Sequence, residues 1–179
     1  MRFTSAAAVA IGIGLGASPA LAAVVTFNVN MTGQKEVTAG GTPNQGDLNG
    51  SAIGTATLNS DTNTISWNLV LSGLATPPVT DFHIHTGGPA TTGGVLIPLG
   101  IPGGSTLTQT SFIGSVTVTG GDITDLQNVL ANTAGFYFNI HNNEFSGGAV
   151  RDQVPEPGTL GMLAGAGLLA LTRRRRRAA

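Results

Sequence analysis

The 179-residue chain carries 8 basic and 9 acidic residues, a formal net charge of −1, and no cysteine. Disulfides, thiolate metal ligands and cysteine nucleophiles are excluded at once. The charge balance is lopsided: Arg173, Arg174, Arg175, Arg176 and Arg177 form one run, whereas residues 23–153 hold only Lys35 and Arg151 against eight acids, a net of −6. Such a body disfavours DNA and RNA as partners.

The N-terminus reads as an export address. Arg2 supplies a positive start, Ala6 to Leu15 is apolar, and Ala20-Leu21-Ala22 follows the Ser18-Pro19 break as a small-x-small cleavage site. This is the pattern of a secretory signal, residues 1–22, passed through Sec-type export machinery and removed after Ala22. The apolar run is shorter than the ~20 residues that a membrane span requires. Residues 23–153 remain as one domain, enough for a single core.

The pattern of that domain is one of strands. Val25, Phe27, Val29 and Met31 recur at every second position. Ala52 to Leu58 forms a second strand, and Asp61-Thr62-Asn63 a turn. Ile65, Trp67, Leu69 and Leu71 alternate with Ser66, Asn68, Val70 and Ser72, placing Trp67 in the core. Period-two alternation predicts half-buried β-strands. Pro77-Pro78 breaks the chain before a strand over Val79 to His85. Val95 to Leu99 is a short strand with Pro98 marking an edge. Gly103-Gly104 is a turn, and Ser111 to Thr119 a further strand.

One helix is expected, capped by Asp122, with Ile123, Leu126, Val129 and Leu130 on one face and Gly135 as a left-handed stop. The last predicted strand, Gly135 to His141, sets Phe136, Phe138 and Ile140 against Tyr137, Asn139 and His141. Polar, Gly-rich residues from Val37 to Asn49 form a loop. Short strands, Gly-rich turns and one short helix make an all-β antiparallel sandwich.

The chain has three histidines. In Asp81-Phe82-His83-Ile84-His85, alternation puts Asp81, His83 and His85 on one face and turns Phe82 and Ile84 to the core. His141 shares a face with Asn139 and Tyr137. If the two strands adjoin, His83, His85 and His141 converge as a candidate copper or zinc site, with Asp81 or Glu144 orienting the rings. The competing reading is structural, with the imidazoles bonded to loop backbone at Gly87-Gly88 or Gly147-Gly148. Arg151 can pair with Asp81 or Glu144.

Phe82-His83-Ile84-His85-Thr86-Gly87, Gly94 to Leu99, Phe136 to His141 and Phe145-Ser146-Gly147-Gly148-Ala149-Val150-Arg151 together resemble a CHRD domain. The resemblance covers most of 24–153 and implies the fold more than a reaction. Ala149 stands where that family commonly has Glu, and Asp152 where Gly is usual. A His-x-His on a sandwich is also similar to copper–zinc superoxide dismutase. Three histidines and no cysteine cannot supply that enzyme's second, bridged metal or its disulfide, so only a lone copper site stays open.

The C-terminus is a second address. Pro155-Glu156-Pro157 is followed by an apolar run from Gly158 to Thr172 and then by the five arginines. An arginine cluster beside an apolar segment stays on the cytoplasmic side, leaving the body outside the inner membrane. The three parts, residues 154–177, resemble a PEP-CTERM sorting signal. That resemblance implies recognition by an exosortase, transient anchoring through a short transmembrane helix, and release to the cell envelope or extracellular matrix.

No nucleophile elbow or phosphate loop is present, so the Gly pairs read as turn punctuation. The expectation is an exported envelope or matrix module with a binding or structural role and no assigned catalytic residue, its matrix partner class exopolysaccharide. The alternative is a histidine-based copper or zinc protein.

Overall fold

A computed structural model of the chain describes residues 24–74, 78–101 and 110–156. The signal peptide, the Gly103-Gly104 turn and the C-terminal apolar helix lie outside the described residues. Among the described residues there are eight strands: β1 (Val24–Thr32), β2 (Ser51–Asn59), β3 (Thr64–Ser72), β4 (Val79–Thr86), β5 (Val95–Pro98), β6 (Ser111–Thr117), β7 (Phe136–Asn142) and β8 (Val150–Gln153). The helix α1 (Gly121–Ala131) joins β6 to β7. Among the described residues no helix is long and apolar enough to cross a membrane.

The strands form one antiparallel sheet in the order β5-β4-β7-β8-β1-β2-β3-β6. Alternation in the sequence sets its two faces. Phe27, Val29 and Met31 of β1 and Ile65, Trp67, Leu69 and Leu71 of β3 are buried, and most residues between them are exposed. Register explains how the indole fits: Ala56 of β2 stands opposite both Phe27 and Trp67, and its single methyl leaves room for the rings.

The sheet curls on itself. Strands β3 and β4 are separated in it by four others, yet the Trp67 and Phe82 rings meet edge to face at 5.3 Å. Phe112 closes the group at 5.5 Å from each. The two halves therefore pack their inner faces together as a sandwich, and the single pair Thr32↔Arg151 joins β1 to β8 between them. Leu126, Val129 and Leu130 fasten α1 to the same core.

Three local expectations are corrected. Gly120, not Asp122, caps the helix, and Asp122 sits in its first turn, where an acid favours the helix dipole. Gly135 closes a 3₁₀ turn, Thr133–Gly135, and is not in the left-handed region. Strand β8 was not expected, because Arg151 and Asp152 interrupt its short apolar signal.

A rim of three imidazoles as the candidate functional site

Strand β4 lies between β5 and β7 with its polar face outward from the core. Phe82 and Ile84 point inward and are fully buried. In the pairing with β7, Asp81 stands opposite His141, His83 opposite Asn139, and His85 opposite Tyr137. Residues directly opposite share a face, so the three imidazoles meet at one rim. Ring centroids lie 4.9 Å apart for His83 and His141, 5.3 Å for His85 and His141, and 5.4 Å for His83 and His85. One ring nitrogen from each lies within 4.8 Å of the other two. The rings line an open pocket of about 440 Å3 with Asp81, Gly93 and Ser146.

The outer hydrogen bonds fix which nitrogens carry protons. His85 Nδ1 is 3.1 Å from the Gly93 carbonyl, and His141 Nδ1 is 3.0 Å from the Ser146 carbonyl. A carbonyl only accepts, so both Nδ1 atoms are the N–H donors and both Nε2 atoms hold lone pairs. Those two Nε2 atoms face each other at 3.2 Å. With the rings neutral, neither has a proton to offer the other. His83 Nε2 lies 2.9 Å from Asp81 Oδ1 and donates to it, while His83 Nδ1 is buried with no partner among the described residues. Burial lowers the pKa of all three imidazoles, and mutual repulsion adds to it; the Asp81 charge and the carbonyl bonds offset this only in part. The rim thus presents three neutral imidazoles, each with a bare nitrogen.

Residues 27–154 match the CHRD domain family. The chain belongs to the CHRD-domain family. Residues 153–177 match the PEP-CTERM protein-sorting motif, which marks the protein for exosortase processing and export to the cell envelope or extracellular space. No curated protein and no solved structure matches the chain significantly.

Within this CHRD domain the orienting groups differ from those expected. Asp81 does hold His83. Glu144, expected in the same role, lines a second cleft of about 280 Å3 with Glu36, which shares Ser146 and Gly147 with the rim pocket. Loop carbonyls of Gly93 and Ser146 orient the other two rings. Backbone atoms have no residue signature, so only the general idea of loop anchoring was legible.

Arg151 also finds other partners than Asp81 or Glu144. It is 1 % exposed. Its guanidinium lies 3.5 Å over the Tyr137 ring, and it donates to the carbonyls of Thr91 at 2.9 Å and Gly88 at 2.6 Å. Tyr137 in turn stacks on His85, at 5.1 Å and 14°. Arg151 therefore ties down the 88–91 turn that leads to Gly93.

Glu36, which the sequence did not single out, is 4 % exposed, and its Oε1 has no partner among the described residues. Burial raises its pKa from 4.5 to about 7, offset in part by the Arg151 charge and the nearby Asn139 amide. Neither Asn139 amide atom reaches hydrogen-bond geometry. Gly148 borders both groups with φ +142°, and a Cβ there would stand 2.5 Å from Glu36 Oε1 and 2.6 Å from Asn139 Nδ2. Only glycine fits.

The Glu36 shift gives stability a pH dependence. The folded state keeps a proton between pH 4.5 and about 7 that the unfolded state has released. The Glu36 contribution is full below pH 4.5 and is lost as pH rises through 7, by roughly 3 kcal/mol. Denaturant unfolding should show the stability difference between the native protein and Glu36→Gln falling by about that amount from pH 4 to pH 8. A difference constant with pH would mean that the carboxyl titrates alike in the folded and unfolded states.

Proposed function

We propose that the mature domain is an extracytoplasmic binding module of the envelope or matrix rather than an enzyme, and that it engages its ligand at the imidazole rim. The observation that carries this reading is the set of bare nitrogens on an open pocket. His85 and His141 confront each other through two lone pairs, and His83 Nδ1 is buried unpartnered. Buried polar atoms are normally satisfied; among the described residues His83 Nδ1 has no partner, and the two Nε2 atoms have only each other. A partner from outside resolves all three at once.

The export route completes the proposal. Sec-type machinery carries the body across the inner membrane, residues 158–177 anchor it there briefly, and cleavage near Pro155-Glu156-Pro157 frees it. In cells with an active exosortase, the exported form should have a mass lacking the arginine tail. Deleting the exosortase should leave a longer, membrane-associated form. An exported form retaining Arg173 to Arg177 in wild-type cells contradicts this order of events.

The rim has its own test. A His83→Ala/His85→Ala variant should be exported and processed normally, yet be washed from the matrix fraction that retains the native protein. Equal retention of both overturns the rim as the binding site.

A further inference from the structure

We propose that the ligand of the rim is a single divalent transition-metal ion, copper(II) or zinc(II), held by His83 Nδ1, His85 Nε2 and His141 Nε2 with its remaining coordination position open to the pocket. This inference rests on the rim being the binding site and names what occupies it.

The donor set selects the ion class. Imidazole nitrogens suit copper and zinc, whereas magnesium and calcium require oxygen ligands. The tautomers are already those a metal needs: each ring donates its other N–H outward, to Gly93, Ser146 or Asp81, and turns a lone pair away from that bond. The spacing fits as well. Metal–nitrogen bonds of about 2.0–2.1 Å at tetrahedral angles place neighbouring nitrogens roughly 3.3 Å apart. His85 Nε2 and His141 Nε2 stand at 3.2 Å. One ring nitrogen of His83 also lies within 4.8 Å of one on each of the other two rings, so a small ring movement brings the third ligand in.

A metal ion binds the neutral rings as they are, and the half-exposed Asp81 carboxylate beside His83 favours positive charge at the rim. All three rings line the open pocket, which leaves room for an exchangeable position on the ion, unlike a closed structural site.

The test is titration of the exported protein, stripped with a chelator, against copper sulfate, zinc sulfate and calcium chloride. One copper or one zinc per chain is expected, with copper tighter, no calcium binding and a higher Tm. His85→Ala and His141→Ala should each weaken binding at least 100-fold, and Asp81→Asn roughly 10-fold. Copper(II) electron paramagnetic resonance of the native protein should show coupling to three nitrogens, which keeps the proposal testable where an alanine variant fails to fold. Substoichiometric binding, or affinity unchanged in the histidine variants, overturns it. Matrix retention that needs the histidines but persists without metal would remove the ion and keep the rim. Retention indifferent to the histidines would remove the rim.

Discussion

Replacing Arg151 with Met should lower the stability of the domain by about 3–4 kcal/mol, a fall in Tm on the order of 10–15 °C. Two losses combine. The carbonyls of Gly88 and Thr91 lose a charged donor at 2.6 and 2.9 Å. The buried Glu36 carboxyl loses the positive charge that holds its pKa down. Methionine retains much of the stem's packing volume but supplies no donor. Lys35→Met is the matching control. Lys35 pairs with Asp152 at 2.7 Å near the surface, with its side chain 42 % exposed. Such a pair contributes about 1 kcal/mol or less. Thermal unfolding of the two variants separates the buried cation from the exposed one. Similar small shifts in both would mean that Arg151 is not structural.

Replacing Phe82 with Ala should cost about 3–5 kcal/mol, because a fully buried ring leaves a cavity that its neighbours cannot fill. Phe82 touches Trp67 and Phe112 edge to face and stacks with Phe138 at 6.1 Å. It therefore bridges both halves of the curled sheet. The adjacent His83 faces the opposite way, at the rim. His83→Ala should cost roughly 1–2 kcal/mol and leave the fold intact. Chemical denaturation of this neighbouring pair tests the two-sidedness of β4 directly. Equal losses at 82 and 83 would contradict the outward placement of the imidazoles.

Much of the fold follows from side-chain alternation. The buried sets Phe27, Val29, Met31 and Ile65, Trp67, Leu69 are visible as period two, and so is the shared face of His83 and His85. The meeting with His141 was conditional on β4 and β7 being neighbours, and pairing of strands 50 residues apart is a tertiary fact that no local pattern contains. The short β8 escaped because it has four residues, two of them charged. In the sequence its Arg151 has only Asp81 or Glu144 as candidate partners. It is buried because loop carbonyls and the Tyr137 face supply a site for it. Glu36 was hidden for a similar reason: it sits beside Lys35 in a polar loop, and only the close approach of Gly148 and Asn139 encloses it.

The account depends on three bare nitrogens at one rim, and nitrogen-15 NMR of the histidine side chains in the metal-free protein reads them directly. At neutral pH, all three rings should be neutral, with His85 and His141 protonated at Nδ1 and His83 at Nε2. Finding His85 or His141 protonated at Nε2, or any of the three positively charged at that pH, would contradict it.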